Sequence, residues 1–145
     1  MYQTILLCFD GTRESRKALR EGSEIAEKFQ AAAHLLAVVR LPVGLAATEG
    51  VVPQELFQVE QQRAREILDE GVNRLKSRGL LATGHIALGE PVEQIISKAT
   101  ELRANLIVLG HRHQGTLGRW WRGSVGTSLL DQAPCSVLIG MPPGE

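Results

Sequence analysis

Thr4-Ile5-Leu6-Leu7-Cys8-Phe9-Asp10-Gly11-Thr12 is a short apolar run that ends abruptly in an acid, a glycine and a hydroxyl residue. Thr4 to Phe9 has the length and continuity of a strand buried on both faces, the pattern of parallel sheets whose two sides are covered. Asp10-Gly11-Thr12 reads as a tight turn, with Thr12 placed to cap a helix. That helix is visible in Ala18, Leu19, Gly22, Ile25, Ala26 and Phe29, which recur at three- and four-residue spacing and so share one face. The chain therefore opens as strand, turn, helix.

The same alternation continues. His34 to Val39 is a second strand, and Leu41 to Val52, with Pro42, Gly44 and Gly50, reads as a long connection able to cover a site. Ala64, Ile67, Leu68, Gly71, Val72 and Leu75 mark a second helix that starts near Pro53 and ends at Gly79. A third strand around Leu81 to Leu88 leads to Gly89-Glu90-Pro91. There a helix begins with proline in its first turn and buries Val92, Ile95, Ile96, Ala99 and Leu102. Leu106 to Leu109 is a fourth strand; Ser124 can cap a short helix through Gln132; Pro134 ends it; and Ser136 to Ile139 is a fifth strand. Strands apolar on both faces, alternating with helices, predict a doubly wound α/β fold with a parallel sheet. In such sheets ligands bind beyond the carboxyl ends of the strands, which directs attention to the turns after strands one and four.

The turn after strand four is the unusual one. From Gly110 through Leu130 the chain carries Arg112, Arg119 and Arg122 and no acid, whereas the whole chain balances 16 basic against 16 acidic residues. A glycine-rich, positively charged loop before a helix N-terminus is suited to phosphate, because free backbone N–H groups at Ser124 and Val125 can receive an anion. Ser124 fits simple helix capping equally well. The loop lacks the lysine of a Walker A motif, and it is not a first-turn dinucleotide fingerprint. Asp10 fits either a ligand contact or a bond to nearby backbone.

Other chemistries fall on named residues. A phosphatase using an aspartyl nucleophile needs a carboxylate where Cys8 stands, and a cysteine phosphatase needs arginine where Glu14 stands. Cys8 and Cys135 lie in strand-like runs and read as small buried hydrophobes, without a disulfide or zinc pattern. His111 and His113 make an incomplete ligand set, so no metal site is expected. Trp120 and Trp121 fit loop packing or a partner surface better than base stacking, and the balanced charge argues against nucleic acid. One domain over residues 1–145 is expected from the length. The N-terminal apolar run is cut by Asp10, so neither a leader nor a membrane span is expected and a cytoplasmic location is.

Taken together, several segments resemble the universal stress protein family: Tyr2-x-x-Ile5-Leu6 with Asp10-Gly11-Thr12, Gly89-Glu90-Pro91, Ala104 to Gly110, Gly123-Ser124-Val125, and Ala133-Pro134-Cys135-Ser136-Val137-Leu138. The family loop has the form Gly-x2-Gly-x9-Gly-Ser/Thr. Gly110, Gly123 and Ser124 match it, and His113 stands where its second glycine falls. The resemblance implies a five-stranded sheet of order 3-2-1-4-5 with helices on both faces, and a homodimer formed through the last strand. It also implies an adenine-nucleotide site, for ATP with Mg²⁺. By matching positions, adenine and ribose lie near Asp10, Val38 and Gly110, with Cys8 in the same set, and the phosphates lie against Arg112, His113, Gly115, Gly123, Ser124 and Val125. The implied role is a regulatory or protective module in stress response rather than a dedicated enzyme. The competing reading is a member that does not bind ATP and acts as a dimeric interaction module with Trp120 and Trp121 as anchors.

Overall fold

The computed structural model describes residues 1–39, 54–110 and 129–140. Its elements in chain order are β1 (Thr4–Cys8), α1 (Arg13–Phe29), β2 (Ala32–Val39), α2 (Gln54–Ser77), β3 (Ala82–Leu88), α3 (Pro91–Leu102), β4 (Leu106–Gly110) and β5 (Ser136–Gly140). Residues 129–132 are helical. The strands form one five-stranded, wholly parallel sheet in the order β3-β2-β1-β4-β5. The segment Leu41 to Val52 and the expected cap at Ser124 lie outside the described residues.

Two layers of side chains leave the sheet in opposite directions. Ile5, Leu7 and Phe9 of the first strand segment point toward α1 and α2, where Ala18, Leu19, Ala26, Leu68 and Leu75 meet them. Leu6 and Cys8 point the other way, toward Val92, Ile95 and Ala99 of α3 and toward Leu129. The alternation follows from the two-residue period of a strand. It explains why β1 and β4 have almost no polar residues: each of their faces lies under a helix layer.

The edge strands depart from the expectation that every strand is apolar on both faces. In β3, Thr83, Gly84 and Leu88 are exposed, and β5 begins with exposed Ser136. β3 has a sheet neighbour on one side only, so both helix layers thin out over it: Gly84 meets only the tips of Leu68 and Val72, and Ala87 only the margin of the α3 layer. Phe29 also departs from the buried helix face predicted for it. It is 45% exposed and packs edge-on against Tyr2, with ring centroids 5.3 Å apart.

Close helix packing depends on two glycines. An added Cβ at Gly71 of α2 would lie 2.3 Å from Leu35 Cδ2 and 3.0 Å from Phe9 Cδ1. At Gly22 of α1 it would lie 2.4 Å from Leu7 Cδ2. Both helices sit far closer to the sheet than the roughly 3.5–4.0 Å optimum for carbon pairs would allow with a side chain present.

The ends of the elements obey local chemistry. Glu90 caps α3 by accepting from Glu93 N–H at 3.0 Å, with Pro91 following at the first helical position. Gly79, with φ of +81°, ends the turn after α2 in a conformation that costs an L-residue energy. Asn105 joins the two central strands: its Oδ1 accepts from the N–H groups of Gln3 and Thr4, each at 2.9 Å, and its own N–H donates to Thr4 O at 2.8 Å. Asn105 thus extends the β1–β4 ladder by one side chain.

Candidate functional site

The winding direction reverses between β1 and β4, and the carboxyl ends of these strands are where a doubly wound sheet leaves a crevice. Asp10 follows β1, Val38 is the next-to-last residue of β2, and Gly110 closes β4. Registers run in step. Cys8 pairs with Leu36, and the ladder continues past the strand end through Phe9 N–H donating to Leu36 O at 3.0 Å, which sets Asp10 level with Val38. Leu7 pairs with Val108, so Phe9 is level with Gly110 and Asp10 is one step beyond. Three of the expected site residues therefore stand at neighbouring strand tips, separated by about 5 Å per strand.

The Asp10 turn is held from within. Asp10 Oδ1 accepts from Thr12 N–H at 2.9 Å and from Thr12 Oγ1 at 2.5 Å. Thr12 Oγ1 accepts in turn from Ser15 N–H at 3.3 Å, which is the cap expected for α1. Ser15 Oγ donates to Thr12 O at 3.0 Å and receives Asp10 N–H at 3.4 Å. Gly11 takes φ of +78° to make the bend. Asp10 therefore does bond nearby backbone, and the same bonds fix the direction of its carboxyl group. Ser15, only 1% exposed, is the member that sequence reasoning missed. A hydroxyl residue three positions after a threonine cap was the available signal, since that position can return bonds to the cap.

Cys8 is buried beneath this turn among Leu6, Leu36 and α3. Burial, and secondarily the nearby Asp10 carboxylate, push its thiol from 9.0 up to about 12. The thiol is thus held as a neutral, inert group. Burial also raises Cys135, against which a backbone hydrogen bond at Ile107 acts in the opposite direction. Val38 is half-buried, and Gly110 is buried opposite Gly140 of β5. Arg112, His113, Gly115, Gly123, Ser124 and Val125, together with Trp120, Trp121 and His111, lie outside the described residues. Among the described residues no group of three His, Cys, Asp or Glu side chains is placed to hold a metal ion. No described helix is long and apolar enough to cross a membrane.

A second titratable pair lies on the α3 side of the sheet. His34 Nδ1 and His85 Nε2, from adjacent strands, are 2.9 Å apart, so one ring donates and the other accepts. Seeing this pair requires the β2–β3 register, which composition and spacing do not supply. Burial first, and then the Lys98 ammonium on α3, hold both rings below the usual histidine value; His34 adds to this for His85, while Glu101 opposes it there. A histidine with a depressed folded pKa stabilises the fold above its unfolded value and loses that contribution as pH falls. Stability is therefore expected to decline below about pH 6.5, and His85→Gln to flatten the decline, as urea titrations at pH 7.0, 6.0 and 5.0 would measure. An unchanged slope in that variant would refute this assignment.

The sequence pattern of the universal stress protein family matches residues 1–139 of the chain. The universal stress protein YxiE of Bacillus subtilis (strain 168) is 30% identical over 146 residues, with 96% of this chain and 99% of that protein aligned. A solved structure from the universal stress protein family of Burkholderia pseudomallei is 27% identical, has a TM-score of 0.75, and covers 99% of this chain and 97% of its own. The same fold recurs in a universal stress protein in complex with cAMP, 24% identical with a TM-score of 0.72, covering 95% of this chain and 96% of its own. It recurs again in a universal stress protein from Archaeoglobus fulgidus in complex with dAMP, 23% identical with a TM-score of 0.69, covering 95% and 97% respectively. With its sheet order and this match along nearly its whole length, the chain belongs to the universal stress protein family.

Proposed function

We propose that the protein binds an adenine nucleotide, ATP carried with Mg²⁺, in the crevice at the tips of β2, β1 and β4, and serves as a regulatory or protective module in stress response rather than as a dedicated enzyme, with slow ATP hydrolysis at most. The observation that carries this reading is the alignment of Asp10, Val38 and Gly110 at adjacent strand tips beside the topological reversal. Asp10, its carboxyl group oriented by Thr12, is suited to accept a ribose hydroxyl. The backbone at Val38 offers a donor and an acceptor to the adenine edge, above the floor formed by Cys8. Gly110 has no Cβ and leaves room for the sugar. Arg112, His113, Gly115, Gly123, Ser124 and Val125 would then hold the phosphates. The relatives solved with cAMP and dAMP support the adenine assignment. The homodimer belongs to the same proposal: β5 ends the sheet, and its outer edge is the surface through which a second copy would pair. The setting proposed for it is the cytoplasm.

Calorimetric titration with ATP, ADP and AMP, each with and without Mg²⁺, tests the reading. The wild-type chain is expected to bind and His113→Gly to tighten binding. Asp10→Asn is expected to weaken it by about tenfold, although the amide oxygen it introduces can still accept from Thr12. Binding gained only by His113→Gly would instead favour the interaction module anchored by Trp120 and Trp121. Failure of both proteins to bind would reject the nucleotide site.

A further inference from the structure

α1 and α2 lie side by side over one face of the sheet, and between them runs a groove of about 210 Å³. Four guanidinium groups line it, Arg16 and Arg20 from α1, Arg74 from α2 and Arg78 just past the end of α2, over a floor that includes Leu19 and Leu75. Each side supplies its arginines four residues apart, the spacing that places them on one side of a helix. Arginine forks recognise phosphate oxygens in pairs, and an apolar floor weakens the competition from water.

Two carboxylates answer these four cations. Glu70 receives Arg16 at 2.6 and 3.2 Å and Arg74 at 3.3 Å, and Glu27 receives Arg78 at 3.3 Å. Arg16–Glu70 and Glu27–Arg78 both cross from one side to the other, so they brace the groove near its two ends. From Arg16 to Ser23, the span of α1 that lines it, the helix rises by about 10 Å, which sets the length of the groove. Arg20 stands between the braces and makes no side-chain hydrogen bond or ion pair among the described residues. Arg74 and Arg78 each engage a carboxylate through one nitrogen, leaving further N–H donors. The groove thus retains an excess of about two positive charges, concentrated by its own concavity.

We propose that this groove is an oxyanion site, separate from the strand-tip crevice, that takes a small multiply charged phosphate compound such as a pyrophosphate between Arg20 on one wall and Arg74 and Arg78 on the other. Its length and its braced ends fit a short chain of phosphoryl groups. The sequence hides this site because the arginines are spread over two segments more than 50 residues apart, and each pair alone resembles an ordinary solvated stripe. The inference does not depend on the nucleotide reading, since the two sites share no residue.

Titration of ¹⁵N-labelled protein with inorganic pyrophosphate, followed through the arginine Nε–Hε and backbone signals, is the test. Shifts are expected at Arg20, Arg74 and Arg78. Affinity is expected to fall at least tenfold in Arg20→Gln/Arg74→Gln and to rise severalfold in Glu70→Gln, which removes the negative charge that Arg16 and Arg74 share. Lys28→Gln, an exposed change near the end of α1, should leave affinity unaltered. Shifts confined to Asp10, Val38 and Gly110 would overturn the groove site and assign the pyrophosphate to the crevice. Equal losses in Lys28→Gln and the arginine variant would overturn it too, by showing attraction to diffuse charge.

Discussion

Leu35→Ala is expected to cost about 2–5 kcal/mol, and adding Gly71→Ala to it is expected to restore part of that loss. Leu35 is wholly buried in β2, and its Cδ2 occupies the space that a Cβ on Gly71 would need. Alone, Gly71→Ala sets two effects against each other. Helix propensity favours alanine by about 1 kcal/mol. Overpacking costs roughly 1–3 kcal/mol, because Leu35 would have to turn within a filled core while Phe9 stands 3.0 Å from the new carbon. Overpacking wins, and the single variant is destabilised. In the double variant the new methyl group enters the space that the Leu35 side chain vacates, so the clash disappears and the cavity shrinks. Urea unfolding of all four proteins in the cycle measures the coupling, expected to be at least about 1 kcal/mol. Strictly additive losses would mean that α2 shifts away from the sheet to admit the methyl group.

The second large effect lies at alkaline pH. Cys8 is held near 12 in the folded chain against 9.0 when exposed, mainly by burial and then by Asp10. A group whose folded pKa is raised contributes fully below its unfolded value and loses that contribution as pH rises toward the folded one. The window is therefore about pH 9 to 12, and the full difference is on the order of 4 kcal/mol. By pH 11, roughly 2–3 kcal/mol should already be lost. Cys8→Ala should remove most of this slope, although it lowers stability at pH 7 by leaving a small void. Unfolding free energies of both proteins at pH 8, 10 and 11 provide the comparison, and parallel lines would rule out Cys8 as the source.

The architecture was readable because its rules are local or repetitive. The Ile5-Leu6-Leu7 run and the Ile107-Val108-Leu109 run are long enough to demand cover on both faces, and the stripes Ala18 to Ala26 and Leu68 to Leu75 supply cover on one of them. The errors fell where lateral position matters. Thr83 and Leu88 are exposed because β3 is an edge strand, which its own residues announce only weakly, and Phe29 is the last residue of α1, where it packs on Tyr2 ahead of β1 and stays half open to solvent. At the crevice, Asp10 and Thr12 were recognisable from their order in a tight turn, whereas the burial of Ser15 beneath them depends on how α1 leaves that turn. The histidine pair and the arginine groove were beyond reading for a common reason. Each joins elements about fifty residues apart, and nothing in either segment alone refers to its partner.

The Asn105 clasp has a further consequence for how the molecule is made. Its bonds to Gln3 and Thr4 span 102 and 101 positions along the chain, so the middle of the sheet is built from its first strand and its second-last one. Closing a loop of that length carries an entropic cost of about 4 kcal/mol before any contact repays it. On the ribosome, β1 can pair with β2 as soon as both have emerged, yet its other edge must wait until Asn105 and β4 are synthesised. The crevice between them is thus a late product of biogenesis, and a ligand lodged there would distinguish finished molecules from nascent ones.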